Sequence, residues 1–436
     1  MTAYWAESAY VDGRLAERVL LDIEGGRFAN VRPDSPTGDA HILRGVTLPG
    51  FANAHSHVFH RALRGRAQGP GSFWTWREQM YGVAAALTPD GYLALARATY
   101  AEMALAGYTC VGEFHYVHHG PDGAPYDDRN AMSAALAQAA ADAGIRLTLL
   151  DTCYLAGGIG EPLSPVQRRF SDGDADTWAA RAADFRIDPE RIRLGAAIHS
   201  VRAVPRKEIP TIVAWAAERN APLHAHLSEQ PQENDACRAA YQRTPTQLLA
   251  EAGALGDRTT AVHATYVDKS DFPLLAAGFG CFCPTTERDL ADGIGPARGL
   301  ADAGVALTLG SDGQSVIDPF EEMRGLELDE RLLSQRRGNF AVGDLLAAAG
   351  AAGHACLGWP DAGRIAVGAR ADLVTISPDS PRLAGIADPL AAAVFAGTAA
   401  DVSNVIVDGQ RIVSAGRHLS IDVANALNAA IEAVTQ

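Results

Sequence analysis

Apolar and polar positions alternate with two different periods along the chain. Residues 1–48 include the stretch YVDGRLAERVLLDIEGGRFANV, in which apolar and polar residues alternate around glycine-containing turns, as they do in β-hairpins. Residues 361–420 return to short β segments that are separated by Gly and Asp. We therefore predict a small β-sandwich domain built from residues 1–48 and 361–420, followed by a C-terminal helix over residues 421–436.

The inserted segment, residues 49–360, alternates short β-type runs with helical patterns. The helical patterns, such as PDGYLALARATYAEMALAG, repeat apolar residues every three to four positions. The β-type runs number eight, and they are VTLPGFANAH, YTCVGEFHY, RLTLLDTCY, IRLGAAIHS, PLHAHL, TTAVHATY, GFGCFCP and VALTLGSD. Eight strands alternating with helices predict a (β/α)8 TIM-like barrel, an α/β fold whose active site lies at the carboxyl ends of the strands.

The composition and charge of the chain exclude several classes of binding partner. The chain has 436 residues and a formal net charge of −15, and the absence of any long basic run argues against a nucleic-acid partner. No apolar stretch is long enough for a bilayer span and no signal pattern is present, so we expect no membrane partner and a cytoplasmic location. The six cysteines form no CxxC pair, and we expect free thiols, with Cys281 and Cys283 in the core. A small-molecule substrate is the class that remains.

Five polar residues lie at the predicted strand ends. His55 and His57 are separated by one residue on an extended segment, so their imidazoles point to the same side. His226, His263 and Asp312 lie at the ends of the fifth, sixth and eighth runs. Any one of these histidines alone would more often be structural, but nitrogen ligands with one carboxylate suit Zn²⁺, and Fe²⁺ accepts the same ligands. The coincidence of five such residues at one end of a barrel predicts a metal site.

The motifs PGFANAHSH, HAHLSE and GSD resemble those of the amidohydrolase superfamily, and the resemblance extends over the whole chain. It implies that the metal ligands are His55, His57, His226 and Asp312. His263 is then expected just beyond the ligands, and His224 either next to the ligands or in packing. Glu229, three residues after His226, is expected to move a proton from the nucleophilic water to the leaving nitrogen, its alternative being an exposed loop glutamate.

The number of metal ions follows from the lysines. Binuclear members of that superfamily bridge two metals with a carboxylated lysine near the fourth strand. Lys207 and Lys269 are the two lysines of this chain, and neither is placed to form such a bridge. One metal ion per subunit, Zn²⁺ or alternatively Fe²⁺, is therefore expected.

Five further segments resemble the branch of the superfamily that acts on N-formimino-L-glutamate. They are SFWTWRE, EFHYVHH, IHSVRAV, CPTTERDLADG and GSDGQSVIDPFEEMR. The resemblance implies hydrolytic deimination of that substrate to N-formyl-L-glutamate and ammonia by a metal-activated hydroxide, as a step of histidine degradation. The expected catalytic residues are Glu229, His263 and Asp312.

A dicarboxylate substrate needs cationic partners, and the planar guanidinium group of arginine can bind a carboxylate through two hydrogen bonds. Arg77 and Arg202 are the candidates, although Arg77 has a helix-surface ion pair as its alternative. Tyr116 and His199 are also expected to contact the substrate. His60 occupies a position where that branch usually has glutamine, and we expect it to contact the substrate and to alter how the substrate is anchored.

Two other functions agree with parts of the pattern. A related mononuclear enzyme could deaminate a ring of the guanine or triazine type, but such rings carry no carboxylates for the two arginines. A catalytically silent scaffold could keep the barrel for protein interaction, but the intact ligand set and Glu229 argue against it. We expect a homodimer, with FEEMRGLELDERLLSQRR (residues 320–337) as a contact surface.

Overall fold

The computed structural model describes residues 2–435, which form two eight-stranded sheets and the helices around them. The strands are β1 Thr2–Val11, β2 Arg14–Glu24, β3 Arg27–Arg32, β4 His41–Pro49, β5 Phe51–Ser56, β6 Tyr108–His115, β7 Arg146–Cys153, β8 Ile192–Ile198, β9 Leu223–Leu227, β10 Thr259–His263, β11 Phe279–Phe282, β12 Ala306–Leu309, β13 Leu373–Ile376, β14 Val402–Val407, β15 Gln410–Ser414 and β16 Arg417–His418.

The helices cover most of the chain between the strands. The α-helices are α1 Phe73–Ala86, α2 Pro89–Ala106, α3 Ala131–Ala143, α4 Ala175–Asp184, α5 Ile209–Glu218, α6 Pro231–Tyr241, α7 Pro245–Glu251, α8 Phe272–Leu275, α9 Pro284–Asp289, α10 Ala297–Asp302, α11 Pro319–Ser334, α12 Val342–Ala347, α13 Gly353–Cys356, α14 Pro389–Phe395 and α15 Val423–Thr435. Short 3₁₀ helices are Val58–Leu63, Pro121–Gly123, Val166–Phe170, Lys269–Asp271 and Ala399–Asp401, and Ala348–Ala352 is a π-helix. Within residues 2–435, no helix is both long and apolar enough to cross a membrane.

Strands β5 to β12 form a parallel sheet in which each strand pairs with the next one along the chain. The sheet closes on itself through a parallel bridge between Ser56, at the end of β5, and Asp312, just after β12. At this seam the amide of His57 donates to the carbonyl of Asp312 over 3.1 Å, and the amide of Asp312 donates to the carbonyl of His55 over 3.0 Å. The first and last strands of the barrel are therefore joined at three of the predicted site residues.

Gly310 allows this close approach. A Cβ atom at that position would lie 2.8 Å from both the Cβ and the carbonyl oxygen of His55, which is closer than real contacts of this kind. Because glycine has no side chain, the backbone of the last strand can approach that of the first. The glycine of the GSD motif thus has a steric role, which is separate from the chemistry of the aspartate.

The other sheet contains strands from both chain ends, in the order β16–β15–β14–β13–β4–β1–β2–β3. It has an apolar core of its own, whose members include Tyr4, Leu21, Phe28, Leu373 and Ile406. The predicted fold class, a TIM-like barrel with a smaller β domain made from both termini, is confirmed. The domain boundaries that we placed at residues 48, 361 and 420 stay predictions, while the C-terminal helix α15 packs against α2.

One predicted strand is divided between the two sheets. The run VTLPGFANAH was expected to be a single barrel strand, but β4 ends at Pro49 in the smaller sheet and β5 begins at Phe51 in the barrel. The amide of Gly50 donates to the carbonyl of Asp372, and a Cβ at Gly50 would lie 2.4 Å from the side chain of Thr109. The chain passes so close to Thr109 where it changes sheets that only glycine fits at this position.

A buried ion pair joins the two sheets. The guanidinium of Arg146, on β7, donates to both carboxylate oxygens of Asp372, just before β13, and each side chain is 1% exposed. Nη1 of Arg146 also lies 3.1 Å from Oδ1 of Asp408, whose side chain is 28% exposed. Burying both charges is tolerated because each neutralises the other, whereas removing Asp372 leaves the buried cation with the more exposed contact to Asp408.

We predict that Asp372→Asn lowers the free energy of unfolding by about 3 to 5 kcal/mol, because it leaves the Arg146 cation without its main counter-charge. Chemical denaturation is the measurement. Asp34→Asn is the matched control, since it breaks an Arg–Asp pair of 2.6 Å whose side chains are 57% and 76% exposed, and exposed pairs contribute about 0 to 1 kcal/mol. Equal losses in the two variants would contradict the prediction.

Candidate active site

Three imidazoles and a carboxylate converge at the seam of the barrel. The Nε2 atom of His226 lies 3.1 Å from that of His55 and 3.3 Å from that of His57. Oδ1 of Asp312 lies 3.2 Å from Nε2 of His55 and 3.4 Å from Nε2 of His57. Four ligands placed tetrahedrally at about 2.0 to 2.1 Å from Zn²⁺ are about 3.3 Å apart. These four distances match the separation expected between ligands of one zinc ion.

The hydrogen bond of His57 identifies its Nε2 as an electron-pair donor. Its Nδ1 lies 2.9 Å from the carbonyl oxygen of Phe114, and because a carbonyl only accepts, this nitrogen carries the proton and Nε2 carries the lone pair. Burial lowers the pKa of His57 to about 3 and the pKa values of His55 and His226 well below their usual range, so all three rings are neutral. The Nε2 lone pair of His57 and the Asp312 carboxylate are directed at the same region as the neutral rings of His55 and His226, so the donor set fits a metal ion.

The backbone around the site adopts unusual conformations. His263 has a φ of 68°, Asp312 a φ of 41° and Ser228 a φ of 50°, values in the left-handed region that non-glycine residues seldom occupy. The turn at Asp312 is held by Gln314, whose Nε2 donates to the Asp312 carbonyl and to Ser56 Oγ, each over 2.9 Å. These contacts keep the Asp312 carboxylate directed at the histidines.

His263 and Glu229 lie together beside the donor set. Nε2 of His263 is 3.9 Å from Oε1 of Glu229 and 4.0 Å from Oδ2 of Asp312, and its Nδ1 is 3.3 Å from Oε1 of Glu287. Burial works against the charged ring, but the hydrogen bond with Glu287 and the two other carboxylates outweigh it and raise the pKa of His263 to about 10. His263 therefore lies among three carboxylates, just outside the ligands.

Sequence reasoning missed Glu287 as a partner of His263. It lies on α9, within the CPTTERDLADG segment that carried the resemblance, but nothing in its spacing indicated which histidine it would face. His263, Cys283 and Glu287 also bring donor atoms within 4.8 Å of one another. Cys283, expected in the core, is buried as expected and lies directly beside the site.

A cavity of about 330 Å³ opens next to these groups. It is lined by all five predicted substrate-contacting residues, His60, Arg77, Tyr116, His199 and Arg202. Glu229, His263 and Asp312 line the same cavity. The structure thus brings together residues from distant parts of the chain that sequence analysis assigned to one site.

The two arginines differ in their surroundings. Nη2 of Arg202 donates to Oε2 of Glu229 over 2.8 Å, and its Nε lies 3.1 Å from Oε2 of Glu233. Arg77 lies over the ring of Trp74, with its guanidinium carbon 4.5 Å from the ring centre, and has no carboxylate partner among residues 2–435. The ion pair considered as an alternative for Arg77 is therefore absent there, and Arg202 has two acidic neighbours that sequence analysis did not assign to it.

The remaining polar residues of the cavity are uncharged. Nε2 of His60 lies 3.1 Å from the hydroxyl of Tyr116, and Nδ1 of His199 lies 3.2 Å from Oγ of Ser200. Burial lowers the pKa values of both histidines well below their usual range. His60 and Tyr116, which were predicted independently as substrate contacts, are thus hydrogen-bonded to each other. The aromatic residues Tyr154 and Phe170, which no motif indicated, complete this part of the cavity.

Comparison with known proteins agrees with this site. The model of the amidohydrolase family matches residues 46–412. Formimidoylglutamate deiminase of Pseudomonas aeruginosa is 39% identical over 437 aligned residues, which cover 96% of each chain. The crystal structure of an amidohydrolase from Brucella melitensis has a TM-score of 0.92 at 33% identity and covers 100% of both chains. The crystal structure of an adenosine deaminase from Xanthomonas campestris with bound zinc shares the fold, with a TM-score of 0.86. It is 23% identical in sequence, and the match covers 99% of this chain and 97% of that chain. The sequence and the fold together establish that this chain belongs to the amidohydrolase family.

Proposed function

We propose that this protein hydrolyses N-formimino-L-glutamate to N-formyl-L-glutamate and ammonia, a reaction of histidine degradation. The observation that carries the proposal is Arg77, a cation without an acidic partner in the described part of the chain, in the same cavity as the metal-type donor set. A substrate with carboxylates at one end and a C–N bond to hydrolyse at the other matches these two features. The 39% identity to the formimidoylglutamate deiminase of Pseudomonas aeruginosa supports the same assignment.

The proposed cofactor is one Zn²⁺ ion per subunit, with Fe²⁺ as the alternative. His55, His57, His226 and Asp312 would hold it, and their donor spacing of 3.1 to 3.4 Å supports a small divalent ion. Such an ion, when bound, lowers the pKa of a coordinated water molecule and polarises the carbon under attack.

Proton transfer is assigned to Glu229. Arg202 binds its Oε2, which leaves Oε1 on the side of His263. In the proposed reaction the water oxygen bonds to the formimino carbon while Glu229 passes one water proton to the imino nitrogen. Glu229 then carries the second proton of that oxygen to the same nitrogen, so that the C–N bond breaks, the formyl C=O forms and ammonia leaves. His263 and the Asp312 carboxylate orient the water and balance the charge that develops on the substrate.

The glutamate portion of the substrate is assigned to the other end of the cavity. Arg77 would bind one carboxylate through its planar donor pair. Arg202 uses Nη2 for Glu229, and its Nη1 has no hydrogen bond to residues 2–435, which supports a contact with the second carboxylate. Tyr116, His60 and His199 would supply uncharged hydrogen bonds, and the position of His60 against Tyr116 supports a role in shaping this end.

The state of the protein in the cell belongs to the same proposal. A cytoplasmic location is supported by the six cysteines, which are all free and buried, as is usual in a reducing compartment. A homodimer is supported by exposed leucines on α11, of which Leu332 is 75% and Leu333 58% exposed.

The direct test is ammonia release. Protein loaded with one equivalent of Zn²⁺ should release one ammonia per N-formimino-L-glutamate and form N-formyl-L-glutamate, as identified by mass, and metal-free protein should release none until Zn²⁺ or Fe²⁺ is restored. Guanine and an aminated triazine are the comparison substrates. Release from a ring alone would favour the ring deaminase, and folded, metal-loaded protein without any turnover would favour the silent scaffold.

Glu229→Gln should lower kcat by about 10²- to 10⁴-fold, because the amide cannot accept and return a proton. The metal content of the variant should equal that of the unmodified protein, as measured by elemental analysis. Glu218→Gln, at a side chain that is 73% exposed, is the matched control and should leave kcat unchanged. Normal turnover in Glu229→Gln would show that the proton is carried by another group.

Arg77→Met should raise KM for N-formimino-L-glutamate by about 10- to 100-fold, because a hydrogen bond between two charged groups contributes about 1.5 to 3 kcal/mol. Steady-state kinetics with the metal-loaded enzyme is the measurement. Arg66→Met, at an exposed position before α1, is the control and should keep KM within twofold. An unchanged KM in Arg77→Met would exclude Arg77 as a carboxylate ligand.

A further inference from the structure

We propose that Arg169 is a positioning residue, which holds the C-terminal end of α1 and thereby sets the distance between the metal-type donors and Arg77. This inference rests on the proposed function, because it gives Arg77 the role of carboxylate ligand. Arg169 does not line the cavity, and it acts only through the helix that does.

The guanidinium of Arg169 is bound almost entirely by backbone carbonyls. Its Nη1 donates to Ala84 O over 2.5 Å and to Ala85 O over 2.8 Å, and its Nη2 donates to Leu87 O over 2.6 Å. Its Nε donates to His119 O over 2.9 Å. One side chain thus joins the last turn of α1 to the segment that follows β6.

The end of α1 needs such a donor. The last carbonyls of an α-helix have no partner within the helix, and many helices solve this with a glycine in the left-handed conformation. The residue after α1 is Leu87, which is extended with φ −67° and ψ 132°, so no left-handed backbone turn satisfies these carbonyls. Arg169 supplies the missing hydrogen bonds.

The electrostatics of Arg169 agree with this role. The residue is 2% exposed and forms no ion pair with a carboxylate in residues 2–435, although burial lowers its pKa. The negative end of the helix dipole and the carbonyl oxygens of α1 take the place of a carboxylate. A buried cation without an acidic partner is costly, so its retention here indicates a specific task.

The neighbours of Arg169 connect the same helix to the cavity. Nε2 of Gln167 donates to the hydroxyls of Tyr81, on α1, and Tyr154, after β7, over 3.0 and 2.7 Å. The ring of Phe170 lies 5.0 Å from that of Tyr116 and 5.3 Å from that of Tyr154. The 3₁₀ helix Val166–Phe170 therefore joins α1 to the ends of two barrel strands.

The N-terminal end of α1 follows an exposed segment, and it is held by Thr75, whose Oγ1 accepts from the Ser72 amide over 2.8 Å, and by the buried Phe73. Residues 65–72, which lead into the helix, are exposed apart from half-buried Ala67, and a Cβ at Gly65 or Gly69 would meet no atom within 4 Å. Arg77 lies seven residues before Ala84, about two turns and about 10 Å along the axis, on nearly the same side of the helix. A small rotation at the C-terminal end would therefore displace Arg77 relative to the donor set.

The functional consequence is discrimination by substrate length. If the distance between Arg77 and the donors is fixed, N-formimino-L-glutamate spans it and N-formimino-L-aspartate, one methylene shorter, does not. Arg169→Lys keeps the charge but replaces the planar group with a single ammonium that cannot reach all four carbonyls. The helix would then move, and the difference between the two substrates would become smaller.

The test compares Arg169→Lys with Arg168→Lys, an adjacent exposed arginine as the matched control, in metal-loaded enzyme. In Arg169→Lys we expect KM for N-formimino-L-glutamate to rise at least tenfold, kcat to change less than threefold, and the ratio of kcat/KM between the two substrates to fall at least fivefold. Arg168→Lys should match the unmodified enzyme. An unchanged ratio in Arg169→Lys would overturn the inference while leaving the proposed function intact.

Hydrogen exchange provides a readout that does not depend on turnover. Amides of residues 73–86 should exchange at least tenfold faster in Arg169→Lys than in Arg168→Lys, while those of the barrel strands are unchanged, and equal exchange in α1 would overturn the inference. Gln167→Met removes the two tyrosine contacts without adding charge, and it should also lower the ratio of kcat/KM between the two substrates. It replaces Arg169→Lys in the test if that variant does not fold. If the unmodified enzyme releases no ammonia, the proposed function is wrong. The hydrogen-exchange comparison would then still decide whether Arg169 holds α1.

Discussion

The repulsion among buried electron-pair donors at the barrel seam is the constraint on which the rest of the structure depends. His55, His57, His226 and Asp312 direct donor atoms to one region, where each of His226 and Asp312 lies 3.1 to 3.4 Å from both His55 and His57. Such an arrangement is stable only if the backbone holds it rigidly and a cation relieves the repulsion. The closure of the barrel supplies the rigidity, because the same residues form the backbone hydrogen bonds between the first and last strands.

Around this centre, the structure uses arginines in four different environments. Arg146 is neutralised by Asp372 and joins the two sheets, while Arg202 is neutralised by Glu229 and Glu233 at the site. Arg169 is bound by carbonyls, and Arg77 lies against an aromatic ring with no counter-charge from the residues that the structure describes. In a chain with a net charge of −15, an arginine without an acidic partner at the edge of a cavity is the clearest indication of an anionic ligand.

Most of the fold could be predicted because it depends on local periodicity. Seven of the eight predicted barrel runs correspond to β6 to β12, and strands from both chain ends form the other sheet. The exception is the run that contains Gly50, where the alternation continues through a change of sheet. Periodicity reports that a segment is extended and buried, but which sheet it joins depends on contacts with Asp372 and Thr109, more than fifty residues away.

The sequence by itself determined the barrel, the smaller β domain and the set of residues available for the site. The reason is that the carboxyl ends of the strands in a parallel barrel lie on one face, regardless of the conformation of the loops. Only the tertiary structure decided how those residues are paired: that His263 faces Glu287, that Arg202 is bound by Glu229, that His60 is bonded to Tyr116, and that Arg77 has no acidic partner among residues 2–435. The physical reason is that a residue's charge state and partners depend on distances across the cavity between segments far apart in the chain. No local pattern encodes these distances.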